Sequence, residues 1–167
     1  MHHEDAAAAV GWIAALEHSA LGEAARHSFW LYPLCGVLHL VGLGLLVGSI
    51  LAFDLRLVGI TKRLALDAAA RQLLPTALLG FCFSLTTGFV MFTADATHLV
   101  RNPVFLIKLC VIVLAGANAA LFHARASRAV IAGRADAPAL RHAKLAGALS
   151  IAFWLGTVSL GRLIAYF

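Results

Sequence analysis

The residues with the most chemical potential in this sequence are ionisable side chains set inside or beside long apolar runs. Of eight histidines, only His39 lies well inside such a run, in Cys35-Gly36-Val37-Leu38-His39-Leu40-Val41-Gly42-Leu43-Gly44. An ionisable group at that depth is costly and usually faces a protein interior or a cofactor. Two roles are open to it. It is an axial ligand, or it is a hydrogen-bonded packing histidine among small-residue contacts, for which Gly44 and Gly48 have the spacing. Lys108 sits in a later apolar run, Arg162 near the end of the last, and Arg101 just before Lys108's run. With an interface near Trp30 and Tyr32, His39 lies roughly 10–13 Å inward at 1.5 Å per residue, and Lys108 roughly 6–7 Å inward from Val104. Imidazole to iron, with Lys108, Arg162 and Arg101 reaching for carboxylates, suits haem b. The plainer reading of Lys108 and Arg162 is that both snorkel to lipid headgroups.

A second axial ligand is less evident. His98, in the connector before Lys108's run, and His27, just before the first run, are the candidates on the same side. His27 and His39 are 12 residues apart, about 18 Å along a straight helix, so they do not share one iron. At the other end of the runs, Asp54, Arg56, Asn118 and His123 form a second polar group. It reads as helix-end hydrogen bonding and ion pairing, or as a proton or quinone site. Cys35, Cys82 and Cys110 fall one per run with no C-x-x-C, as expected of small buried hydrophobes. Methionine is limited to Met1 and Met91, against the soft-ligand clusters that copper transport favours.

These residues need elements to hold them, and composition says which. Of 167 residues, 62% are hydrophobic and 13% charged. A soluble domain carries about 45–50% apolar and about 25% charged residues, so an ordinary soluble enzyme is excluded. Four stretches approach the roughly 20 apolar residues a bilayer core requires: about 29–53, 73–92, 104–122 and 145–166. Their backbone groups must be satisfied internally, so each is expected to be a helix. The predicted fold is all-α: an integral membrane four-helix up-down bundle over 29–167, its short loops joining antiparallel neighbours. Residues 1–28 lack the basic start and cleavage pattern of a secretory leader. Asp5 to Ala25 reads instead as one Ala-rich amphipathic helix on the outer membrane surface or on the bundle.

The net charge of +5 comes mostly from two connectors. Arg56, Lys62, Arg63 and Arg71 lie between the first and second runs; Arg125, Arg128, Arg134, Arg141 and Lys144 lie between the third and fourth. The positive-inside rule puts these loops in the cytoplasm and both termini outside. In a bacterial inner membrane that outside is periplasm. Charges split between two short loops without interleaved aromatics argue against nucleic-acid binding.

The first run, "LHLVGLGLLVGSILAFDLRLVG", resembles the opening helix of small four-helix membrane proteins, the HemJ-type protoporphyrinogen IX oxidases and the copper-resistance D (CopD-type) proteins. "LPTALLGFCFSLTTGFVMF" and "NPVFLIKLCVIVLAGANAALFHA" extend the resemblance over about 32–123. It implies a haem b held by an intramembrane histidine, matched by His39, and a third-helix lysine, matched by Lys108. Asp54-Leu55-Arg56-Leu57-Val58-Gly59 departs from the oxidases' Pro-Arg-Leu-Phe-Val-Tyr-His stretch, so the haem site carries over and the reaction does not. Three functions follow as expectations. The first is a haem b-binding inner-membrane protein in electron transfer, with a quinone or a redox protein as partner. The second is a protoporphyrinogen IX oxidase-like enzyme passing electrons to quinone. The third is a cofactor-free permease or copper-related assembly subunit. The Gly44/Gly48 face reads as internal packing or as the contact of a homo-oligomer.

Overall fold

The computed structural model describes residues 11–61, 65–125 and 127–166. Among these the chain is helical, without strands. After a helical segment at 11–17 come α1 (Ala20–His27), α2 (Leu31–Val58), α3 (Leu66–Ala94), α4 (Ala96–Leu99), α5 (Pro103–Arg125), α6 (Ser127–Ile131) and α7 (Ala137–Leu163), with a closing 3₁₀ turn at Ile164–Tyr166. The four long helices, α2, α3, α5 and α7, are each long and apolar enough to cross a membrane.

Local sequence explains where they begin and end. Asn102 Oδ1 accepts from the N–H groups of Val104 and Phe105 at 2.9 and 3.3 Å, and Pro103 takes the first helical position, where no N–H is needed. Asp136 Oδ1 accepts from Ala139 N at 2.9 Å and starts α7. Gly59 ends α2 in the left-handed region at φ 99°, so that it, Ile60 and Thr61 all donate to the Leu55 carbonyl. Pro75 lies inside α3. It removes one backbone donor, and beside that gap Thr76 Oγ1 donates to the Gln72 carbonyl at 2.8 Å.

The long helices outrun the apolar windows expected from sequence, chiefly at the basic end. α2 runs on through Arg56. α3 begins at Leu66 rather than 73, with Asp67 and Arg71 paired at 2.9 Å one turn apart. α7 begins at Ala137 rather than 145.

Helices α2 and α3 pack most intimately, antiparallel, through Gly42 and Gly80. A methyl on Gly42 would meet the Gly80 carbonyl and Ser84 N at 2.9 Å. One on Gly80 would meet Leu46 N at 2.5 Å and the Gly42 carbonyl at 2.6 Å. Gly44 and Gly48 have nothing within 4 Å of such a methyl. The internal-packing role expected of that pair belongs to Gly42. Helix α7 packs on α2, with Gly147 beside the Asp54 carbonyl and Val58, and α5 packs on α7, with Asn118 Nδ2 donating to the Ala146 carbonyl at 2.9 Å. α3 and α5 approach each other far less closely, although Phe92 stacks on Phe105 at 5.7 Å. The interior is filled by Leu46, Ala77, Ala115 and Trp154 at mid-height and by Phe53, Leu57, Ala69, Phe122 and Ala143 at the basic end. Leu40, Val41, Leu78, Leu85, Val113, Leu114, Leu155 and Val158 face outward, as lipid-facing side chains do.

The N-terminal segment departs from the expectation of one continuous helix. Residues before 11 lie outside the described residues. From 11 onward the helix stops at His18, and Ser19 Oγ caps α1 by accepting from Gly22 N at 3.3 Å. The segment docks on the α3–α4 corner. Arg26 donates to the Ala94 carbonyl at 3.2 Å and to the Glu17 carbonyl at 2.6 Å. Glu17 Oε2 accepts from both Thr97 N (2.8 Å) and Thr97 Oγ1 (2.6 Å). Those two bonds hold the Glu17 carboxyl below its ordinary range.

Candidate functional site

His39 is half-buried on α2 and faces α3. Its Nδ1 lies 2.9 Å from the Ser84 carbonyl oxygen and 3.2 Å from Thr87 Oγ1. A carbonyl only accepts, so Nδ1 carries the proton and donates to it. Thr87 is held in turn, its hydroxyl donating to the Phe83 carbonyl at 2.6 Å. The ring rests on Gly88, where a methyl would stand 3.0 Å from Cε1. Ser84 Oγ donates back to the His39 carbonyl at 3.4 Å. The run Ser84-Leu85-Thr86-Thr87-Gly88 is thus a cradle for one imidazole. Small and hydroxyl residues grouped in an apolar helix were its signal in the sequence.

With Nδ1 protonated, the neutral ring keeps its lone pair on Nε2. That nitrogen has no hydrogen-bond partner among the described residues. Metal-bound histidines commonly donate their other ring N–H to a backbone carbonyl in this way.

Lys108 projects from α5 towards α7, where Gly161 leaves room for it. A methyl on Gly161 would lie 3.9 Å from Nζ. The ammonium sits 6.0 Å from the Phe105 ring centre, is half-buried and has no carboxylate or hydrogen-bond partner among the described residues. It lies within electrostatic range of His39. The helix registers therefore set at the same end of the bundle the two residues that sequence had placed on one side. Thr157, one turn from Gly161 on α7, is buried with an unpartnered hydroxyl.

The remaining candidates are placed otherwise. Arg162 is exposed and folds onto its own helix, donating to Tyr166 Oη at 3.3 Å. Arg101 is exposed in the turn before α5. His98 is exposed on α4 with Nδ1 3.3 Å from Asp95 Oδ2. His27 is exposed at the end of α1 with Nε2 3.1 Å from Glu23 Oε2. Neither histidine contacts His39, and no group of three or more His, Cys, Asp or Glu among the described residues is arranged to hold a metal ion. Of the cysteines, Cys35 is buried as expected, whereas Cys82 and Cys110 face outward.

The donor set thus fits a haem in part. It offers one imidazole of the right tautomer and one unpaired cation at the same end. It offers no second axial side chain among the described residues. Compared with known proteins, the chain matches no family model, no curated protein and no solved structure.

Proposed function

We propose that this chain is a haem b-binding protein of the bacterial inner membrane that takes part in electron transfer, in which His39 would hold the haem iron. The observation that carries the reading is the Nδ1–Ser84 bond of 2.9 Å, which leaves Nε2 as the free ligand atom of a fixed ring. Lys108 would meet a haem carboxylate as a charge-assisted partner, and the exposed Arg162 and Arg101 stand at the same end. Haem, when bound, supplies the one-electron couple. The chain's own residues orient the imidazole and place positive charge.

The long helices form an up-down bundle in this reading. The basic segments are cytoplasmic by the positive-inside rule, and His39, Lys108 and the docked N-terminal segment lie towards the periplasm. Residues 11–27 present an amphipathic face to that membrane surface.

The same bond to Ser84 also favours a second reading, in which His39 only ties α2 to α3 in a cofactor-free protein. The optical spectrum of the protein expressed with excess haem separates the two. Haem binding gives a Soret band that His39→Ala removes. A packing histidine gives no band.

A further inference from the structure

A second polar site lies at the other end of α2, 15 residues or about 22 Å along the helix from His39. Asp54 is buried, 4% exposed, and its Oδ2 has no hydrogen-bond partner. The neutral polar side chain nearest the carboxyl group is Ser150 of α7, whose hydroxyl lies within its electrostatic reach. Asp54 and Ser150 line a cavity of about 40 Å³ together with Asn118 and His123 of α5. The rest of the lining is apolar, including Phe53, Leu74 and Phe122.

The charges around the carboxyl group are few. α3 contributes Leu74, which does not titrate. α7 contributes Ser150. α5 contributes His123, which is exposed and bonded through Nδ1 to the Ala119 carbonyl of its own helix at 2.9 Å. On α2 itself, Arg56 lines a different pocket, with Asp67 and Lys144. The ion pairing expected of Asp54 from sequence is therefore not what its second oxygen finds.

A carboxylate in so apolar a setting needs a cation, a proton or water. The cavity decides among the occupants. A cavity that admits a benzene-sized ring measures roughly 150 Å³, so a quinone headgroup does not fit inside this one of about 40 Å³. A hard divalent cation requires about six to eight oxygens, and the site presents one carboxylate and one hydroxyl, with the Ala146 carbonyl already accepting from Asn118. A water needs about 10–15 Å³ of such space, so a few waters fit.

We propose that Asp54 and Ser150 form an intramembrane proton-binding site, hydrated through this cavity and communicating past His123 with the basic end of the protein. One proton passes between the Asp54 carboxyl group and water, and no other bond changes. The site is independent of the haem reading.

Infrared difference spectroscopy on the full chain in lipid, with ¹³C-labelled aspartate, tests it. The chain has five aspartates: besides Asp54, Asp67 lies 2.9 Å from Arg71, Asp95 lies 3.3 Å from His98, Asp136 is an exposed cap and Asp5 precedes residue 11, so the Asp54→Asn variant assigns the band. At pH 7 the expected result is a protonated-carboxyl C=O band that shifts with the label, shifts again on exchange into D₂O, and is lost in Asp54→Asn. Ser150→Ala should raise its frequency by removing a hydrogen bond, and this holds as a readout where Asp54→Asn does not fold. Absence of the band at pH 7, its survival in Asp54→Asn, or its insensitivity to D₂O would each overturn the proposal.

Discussion

Replacing Gly80 with Ala tests the close approach on which the His39 site depends. The added methyl would stand 2.5 Å from Leu46 N and 2.6 Å from the Gly42 carbonyl, where ordinary contact begins at 3.4 Å. Both neighbours are backbone, so relief requires α2 and α3 to part by roughly 1 Å, an overpacking strain of about 1–3 kcal/mol. Gly44→Ala is the matched control. It lies in α2 with nothing within 4 Å of the methyl. Each substitution gains a similar helix-propensity term of about 0.5–1 kcal/mol, which cancels in the comparison. Gly80→Ala should therefore be less stable than Gly44→Ala by about 1–3 kcal/mol, or about 5- to 150-fold in the folded-to-unfolded ratio. Reversible unfolding in mixed micelles measures this directly. The same separation would stretch the 2.9 Å His39–Ser84 bond beyond hydrogen-bonding range. Equal stability of the two variants would refute the close packing of α2 on α3 at Gly42 and Gly80.

Two further outcomes are expected. Gly88→Ala puts a methyl 3.0 Å from His39 Cε1 and 3.3 Å from Nδ1; it should displace the ring and lower haem content at unchanged expression, while Gly48→Ala leaves haem content as it was. The docking of residues 11–27 should depend on acid pH through Glu17. Its folded carboxyl group is held below the ordinary 4.5 by Thr97, so its contribution is complete above that value and falls away as pH drops through the lowered one. Amide hydrogen exchange at 20–27 should speed up over that range, and Thr97→Val should reduce the pH dependence.

The four long helices were legible because lipid leaves few options. Apolar length and internally satisfied backbone both point to helices, and the four found overlay the four expected. Their true ends were less legible. Hydropathy falls where a helix leaves the apolar zone, yet the helix continues through Asp67, Arg71 and Lys144, whose side chains suit water without breaking it. The break at Ser19 was readable as a cap signal, but the Ala-rich background masked it. The candidate site divides in the same manner. His39 and Lys108 stood out as ionisable residues in apolar runs. The identity of the cradle depended on which glycines meet, and spacing alone pointed to Gly44 and Gly48, whereas rotation of α2 puts Gly42 against Gly80. Asp54 looked like one partner of Arg56 because the two are neighbours in sequence. On a helix, residues two apart face different ways, and the structure places them at different pockets.

The most direct test of His39 as a haem ligand is the dithionite-reduced minus oxidised spectrum of the purified protein, read beside its His39→Ala variant and a folded control such as Gly44→Ala. The expected result is a Soret band and a reduced b-type α-band in the parent and in Gly44→Ala, both absent from His39→Ala. A well-folded parent protein that shows no Soret band after expression with excess haem, or a His39→Ala variant that keeps the parent spectrum, would contradict it.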